Sequence, residues 1–498
     1  MKAVNPEKIL FIVLLLVTVL LRFPSLSYSD YISDEPGTFF YRGGKKNPEM
    51  TISQFILTQR KGPLQLFVGY IPYSVVGDYR NELAQRLPFA LFGAAAMVVF
   101  YFLIKKLTGN FYVAFVSAFL LGTNGLIVAY SRIAQYQNLN LFFSFASLYF
   151  FADLLDRKKN ALRSSVLGTA MFGLSFLAHW DAIYILLPIL YFLVRFAKRH
   201  GLTMKFVVIN MFVGGLIVLP FLVPYILTYL HLPANADYAE GIYGLADKFK
   251  NRDELKYFLV YNPFLTFWVY AVGTAIALGA CRRSGTPSLF LAWFLILIIF
   301  FRFFVKYSGL HFYNIFIPTT VLVAYAMYYL TTLRAQLWLR IPSALFFIAI
   351  LGFLFTQSYL LFVDHKVEYP VEDEKVLFWE TDQMVQQDNI RHKTGFTHKR
   401  FWNQINNFIN DQNSVNSETC GYITNEDKTL AKFYMDADAN DTAQCFYAIS
   451  IKRPLSLAYD HKLSNIKNKS TVKTFENASG EVMVRIYKGY SENQLEGQ

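Results

Sequence analysis

Charge is the first thing this sequence is short of. Only 16% of its 498 residues are Asp, Glu, Lys or Arg, against about 25% in ordinary soluble domains. That argues against a string of water-soluble domains. Cysteine is scarce too. Three residues, Cys281, Cys420 and Cys445, make neither a disulfide framework nor a metal-binding spacing. No Gly-rich phosphate loop is present, which excludes P-loop nucleotide chemistry. The net charge of +12 is spread over short loops rather than gathered on a recognisable module, so nucleic acid is not an expected partner.

Apolar residues are abundant: 54% of the chain is hydrophobic and 18% aromatic. They come in blocks of about 17–25 residues, the length that crosses a bilayer core of about 30 Å as a helix. The expected fold is therefore an α-helical polytopic membrane protein. Its spans fall near 8–24, 84–104, 111–130, 138–155, 162–178, 182–197, 204–229, 262–280, 286–304, 314–332 and 342–362, eleven in all. The first follows Lys2 and Lys8 and has no small-residue cleavage site behind it, which reads as an uncleaved signal anchor.

Loop charge alternates in step with that count. With the N-terminus cytoplasmic, one side carries Lys105, Lys106, Arg157, Lys158, Lys159, Arg163, Arg195, Lys198, Arg199, Lys205, Arg282, Arg283, Arg334 and Arg340. The other carries Asp30, Asp34, Glu35, Glu49, Asp78, Glu82, Asp181, Asp237, Glu240, Asp253 and Glu254. Excess Lys and Arg mark the cytoplasmic side. Adding or dropping a helix would scramble the pattern beyond that point. Residues 1–363 thus form a membrane module with a first exoplasmic loop at 25–83, and the expected setting is a plasma or inner membrane.

After Val363 the composition turns polar. A strand-like Gly421–Thr424, a helical Asp427–Tyr434 and an alternating Val482–Tyr487 suggest an exoplasmic α/β domain over 364–498. Cys420 and Cys445 lie there, either bridged or as two thiols.

The first exoplasmic loop holds adjacent carboxylates, Asp34 and Glu35, followed by Pro36. Carboxylates there can bind a divalent cation or take a proton from an attacking hydroxyl. The bland reading is two solvated loop charges. Lys61 precedes a Gly-Pro turn on the same side, suited to a lipid phosphate or to headgroups in general. Pro63–Val76 is too short and proline-interrupted to span, and reads as an interfacial helix.

In combination these segments resemble the GT-C glycosyltransferases, in the branch of protein O-mannosyltransferases and the bacterial aminoarabinose transferase acting on lipid A. Asp34-Glu35 stands where that branch has Asp-Glu, and Lys61-Gly62-Pro63-Leu64 is similar to its Lys-Pro-Pro-Leu-like segment. Arg86-Leu87-Pro88 matches its Arg-Leu-Pro opening the second span. Ser131-Arg132 falls at a later exoplasmic turn, but Gln137 stands where the family usually has Asp. His179-Trp180-Asp181 resembles the His-Tyr-Asp of some members. Lys306 and His311-Phe312-Tyr313-Asn314, before Pro318, are similar to the late loop that binds lipid phosphate.

The resemblance, covering about residues 8–330, implies sugar transfer from a polyprenyl-phosphate donor to a hydroxyl of an extracytoplasmic lipid, glycan or protein, with inversion. It implies Asp34 as general base with Glu35 assisting, and Lys61, Arg132, Lys306 and His311 on the donor phosphate. Arg86, Gln137, His179, Asp181 and Tyr313 would be substrate contacts. The competing roles are interfacial anchoring for the arginines and turn capping for His179 and Asp181. Some GT-C enzymes use a divalent cation; no ligand cluster in the sequence demands one. The rival reading is a lipid-linked sugar flippase or transporter, which would show charges at mid-bilayer depth or repeated broken helices. The ionisable residues gather instead at helix ends.

Overall fold

The computed structural model describes residues 5–32, 34–39, 51–58, 61–155, 160–229, 254–280, 285–305, 311–332, 337–366, 368–369, 375–376, 379–380, 394–416, 419–439, 445–455, 463 and 471–490. Lys306, Cys281, Glu49, Arg157, Lys158, Lys159, Asp237, Glu240, Asp253, Arg282, Arg283 and Arg334 lie outside them. The chain divides into two compact units. One takes in Met1–Pro24, Thr38–Pro72 and Leu87–Ser358, the other Ser25–Gly37, Tyr73–Arg86 and Tyr359–Gln498.

The first unit is built of apolar helices. Among the described residues seven helices are long and apolar enough to cross a membrane: Glu82–Thr108, Gln137–Leu155, Ala161–Ala178, Trp180–His200, Met204–Thr228, Tyr313–Thr332 and Ile341–Phe362. Shorter apolar helices stand at Pro63–Val76, Phe111–Thr123, Leu265–Gly279 and Pro287–Phe303. The N-terminal helix is Pro6–Arg22, capped by the Asn5 side chain on the Glu7 amide. Many side chains that water would reject face outward, among them Met211, Phe212 and Leu216. Hydrocarbon is the solvent that suits them.

One expected span is interrupted and another starts a few residues late, each for a local reason. The stretch 111–130 breaks at Asn124, whose backbone turns extended while its side chain accepts the Leu126 amide and starts a second helix, Gly125–Tyr130. An Asn at that position offers the new helix one of its missing acceptors. The stretch 262–280 begins only at Leu265, after a separate helix Glu254–Tyr261. Pro263 falls between them, and a proline disfavours helix in the residue before it.

Helix packing uses small residues where backbones come close. A Cβ at Gly273 would lie 2.8 Å from a Val323 methyl, so Leu265–Ala280 and Tyr313–Thr332 approach more closely than alanine permits. Around that crossing Leu120, Val269, Val323, Met327, Ile350 and Leu354 form a buried cluster.

The second unit contains a four-stranded sheet. We name its strands β1 (Gly421–Thr424), β2 (Cys445–Ile451), β3 (Thr471–Glu476) and β4 (Val482–Tyr490). Their order is β1-β2-β4-β3, with β1 and β2 parallel and the other pairs antiparallel. The parallel pair needs a crossover, and it contains the helix Lys428–Tyr434, capped by Asp427 on the amides of Thr429 and Leu430. Cys420 and Cys445, at the starts of the paired strands, are joined by a disulfide. The sequence left that pairing open; the parallel register brings the two cysteines together.

Candidate functional site: a histidine and carboxylate cluster

In the first unit, three separated segments meet at one turn. Helix Ala161–Ala178 ends where His179 adopts an extended backbone. The His179 ring then accepts the Asp181 amide at 3.2 Å, starting the short 3-10 turn Trp180–Ile185. So the capping role is real for His179. Asn140 fixes the turn from a neighbouring helix by donating to the carbonyls of Ser175 (3.2 Å) and His179 (3.1 Å).

His311 arrives from the residues before helix Tyr313–Thr332. Its Nδ1 lies 3.0 and 3.1 Å from the two oxygens of Asp181. His179 Nδ1 is 2.9 Å from the Asp181 Oδ1. Tyr136 stacks on His179 with ring centroids 3.8 Å apart, and its hydroxyl is 3.3 Å from His311 Nδ1. Tyr313 is fully buried, with its hydroxyl directed to Asn140 and Asp181.

Lys61 enters by close backbone contact. A Cβ on the adjacent Gly62 would lie 2.0 Å from the Leu177 carbonyl oxygen and 2.5 Å from that of Ala178. Only glycine permits this approach, and it carries Lys61 to the His179 turn. The Lys61 ammonium, itself buried, is within electrostatic range of both imidazoles. Burial and the Lys61 charge disfavour the His311 imidazolium, but the Asp181 carboxylate outweighs them and its pKa is raised. Burial dominates at His179, where the pKa is lowered despite Asp181.

The other expected residues are placed as follows. Arg132 is buried and its Nη1 donates to the carbonyls of Leu21 (3.3 Å) and Arg22 (3.4 Å) at the end of the first helix. Gln137 is buried and its amide donates to Gln135 at 3.4 Å. Asp34, in the second unit, is exposed in a turn just before the 3-10 turn Pro36–Thr38.

Glu35 and Arg86 also belong to the second unit, and they meet each other. The Arg86 guanidinium donates to both Glu35 oxygens, at 2.9 and 2.8 Å. It donates as well to the carbonyls of Leu26 (3.2 Å), Ser29 (2.7 Å) and Asp30 (3.0 Å). Glu35 in turn accepts the Ile32 amide. Both side chains are fully buried, so this pair organises the loop from inside.

Other contributors were not expected from the sequence. Asn140, Tyr136 and Gly62 frame the cluster. In the second unit Asp30, read as a loop charge, is buried against Lys399 at 2.9 Å, and Arg400 pairs with Glu368 at 2.8 Å. Only Gly62 carried a local signal, as part of the Lys-Gly-Pro-Leu segment.

Comparisons with known proteins agree on the setting. Residues 60–226, which include Lys61, Arg132, His179 and Asp181, match the family described as dolichyl-phosphate-mannose-protein mannosyltransferase. Over 160 residues the chain is 29% identical to an uncharacterized protein of Aquifex aeolicus (strain VF5). That match covers 30% of this chain and 31% of the relative, so the chain spans about a third of the curated relative it matches. Among solved structures the chain is similar to ArnT from Cupriavidus metallidurans bound to undecaprenyl phosphate. The TM-score is 0.54 at 14% identity, over 96% of this chain and 97% of that one. It is similar too to the apo oligosaccharyltransferase of Archaeoglobus fulgidus, with a TM-score of 0.52 at 12% identity, over 88% and 64%. At such identities the likeness establishes a shared fold.

Proposed function

We propose that the chain is a GT-C glycosyltransferase of the O-mannosyltransferase and aminoarabinose transferase branch, a reading supported by the family match over residues 60–226 and by the ArnT-like fold, and that it transfers a sugar from a polyprenyl-phosphate donor to a hydroxyl outside the cytoplasm. The acceptor is a lipid, a glycan or a protein. The reading is supported above all by the buried Lys61 ammonium at the His179 turn, with His311 beside it. A cation held away from water binds phosphate more strongly than one in solvent.

The chemistry divides between leaving group and nucleophile. As the bond from the anomeric carbon to the phosphate oxygen breaks, that oxygen gains negative charge, which Lys61 and His311 offset. Arg132 and Lys306 complete the proposed phosphate set, with Gln137, His179, Asp181 and Tyr313 around it. The acceptor oxygen attacks the opposite face of the anomeric carbon, inverting it, and its proton passes to Asp34. The exposure of Asp34 suits a base that must meet a substrate. Glu35 and Arg86 then act by shaping the loop that carries Asp34. We also assign eleven spans, a cytoplasmic N-terminus and an extracytoplasmic C-terminal domain, on the loop charges.

The test is transfer of labelled sugar from extracted polyprenyl-phosphate lipids in native membranes. Asp34→Asn is expected to reduce transfer by at least about 100-fold at an unchanged protein level. Transfer at the wild-type rate would remove Asp34 as the base.

A further inference from the structure

One cavity in the first unit plays no part in the chemistry above. It lies between helices Leu265–Ala280, Tyr313–Thr332 and Leu337–Phe362 and has a volume of about 510 Å³. Of its lining residues, Val323, Ala326 and Ile350 are buried, whereas Trp268, Val272 and Phe346 are exposed. It therefore opens sideways, toward the hydrocarbon in which these helices stand. No charged side chain lines it among the described residues. A hydrocarbon chain suits such a slot; a polar group there would lose its water without a partner.

Charge gathers at one end of the three lining helices. Ile276, Leu330 and Ser343 all line the cavity, so the last turns of the first two helices and the start of the third lie together. In the sequence, Arg282 and Arg283 follow just after Ala280, and Arg334 just after Thr332. Arg340 stands in the first turn of Leu337–Phe362. A chain covers at most about 3.6 Å per residue, so all four arginines are tied to that end of the cavity. No Asp or Glu occurs between Glu254 and Asp364. Glu7 and Asp153, carboxylates beside other basic loops, already pair with Lys105 and Lys106. The segment that forms the cavity thus brings positive charge to its mouth with no carboxylate of its own.

We propose that this cavity holds an acyl chain of an anionic phospholipid whose phosphate lies against the arginines. The lipid comes from the leaflet on the arginine side, assigned to the cytoplasm on the loop charges. Basic clefts between membrane helices select anionic headgroups, and each arginine near the surface strengthens that attraction about fivefold. On the donor reading above, the donor lipid is not the occupant. His311 stands just before one end of Tyr313–Thr332 and Arg334 just past the other. That helix has 20 residues and so is about 30 Å long. A phosphate at Lys61 and His311 and a phosphate at the arginines therefore belong to two different lipids. The second one fills space beside the helix that positions His311, and its chain gains the packing contacts that an open slot forgoes.

The experiment places the full-length protein in vesicles of phosphatidylcholine with increasing fractions of phosphatidylglycerol, one lipid or the other carrying bromine on its acyl chains. Bromine quenches a tryptophan it touches, and the difference between wild type and Trp268→Phe isolates Trp268. Wild type is expected to prefer phosphatidylglycerol at Trp268 at least about 20-fold, and Arg282→Gln with Arg283→Gln to lower that preference at least about 10-fold. Equal quenching by the two lipids in wild type overturns the proposal, whatever the variants do. A preference that survives loss of both arginines in a variant with normal thermal unfolding overturns it too. Undecaprenyl phosphate is then added to the brominated phosphatidylglycerol vesicles. Unchanged quenching supports two separate lipid sites. Displacement at an equal molar fraction gives the cavity to the donor and overturns the phospholipid assignment, leaving the sugar-transfer reading intact.

Discussion

Replacing Arg86 by alanine tests whether that residue and Glu35 are structural or chemical. The guanidinium makes five hydrogen bonds: two to the Glu35 carboxylate and three to the carbonyls of Leu26, Ser29 and Asp30. Its side chain is 2% exposed and that of Glu35 is 0% exposed. Truncation removes both Arg86 hydrogen bonds from a buried carboxylate, and removing one member of a buried ion pair costs about 3–5 kcal/mol. For a unit of this size, about 1 kcal/mol corresponds to about 2–4 °C, so the midpoint of thermal unfolding in detergent should fall by roughly 10 °C. The double variant Glu35→Leu with Arg86→Met should recover much of that loss, because an apolar pair of similar volume needs no desolvated charge to be satisfied. The three loop carbonyls would still lack their donor, so recovery is expected to be partial. A single variant that melts within about 2 °C of wild type, yet has lost sugar transfer, would refute the structural assignment and return Arg86 to the substrate.

Two further perturbations follow from particular contacts. Gly62→Ala places a methyl 2.0 Å from the Leu177 carbonyl oxygen, so the Lys61 segment must shift. Overpacking of this kind costs about 1–3 kcal/mol, and KM for the lipid donor is expected to rise at least about 10-fold; an unchanged KM would show that Lys61 does not need this approach. In the second unit, burial raises the Glu426 pKa to about 7, against the lowering effect of the Leu455 and Asp427 amides and of Arg400. The folded value lies above the unfolded one of about 4.5, so its contribution is fullest below about pH 4.5 and is lost as pH rises through about 7, by about 3 kcal/mol. Glu426→Gln should flatten the fall in unfolding temperature between pH 5 and pH 7.5, and an unchanged slope would rule the residue out.

The features visible in the sequence are those fixed by neighbours in the chain. A run of apolar residues of membrane-crossing length is helical because a backbone in hydrocarbon must satisfy its own hydrogen bonds, and helices stand where long blocks were expected. The Gly421–Thr424 strand, the helix after Asp427 and the alternation from Val482 are equally local. The break at Asn124 and the late start after Pro263 had local signals too, a capping side chain and a proline, masked by the apolar residues around them.

What tertiary structure decided is which distant side chains meet. Glu35 and Asp34 are neighbours of one charge, yet one is sealed against Arg86, 51 residues away, and the other is exposed. His179 and Asp181 carry no sign of His311, which reaches them across 130 residues. Cys420 pairs with Cys445 through a parallel strand register. A charge in a sequence reads the same whether it ends in water or in an ion pair. Only packing sets its desolvation and its partners, and those determine whether it acts on a substrate or holds the fold.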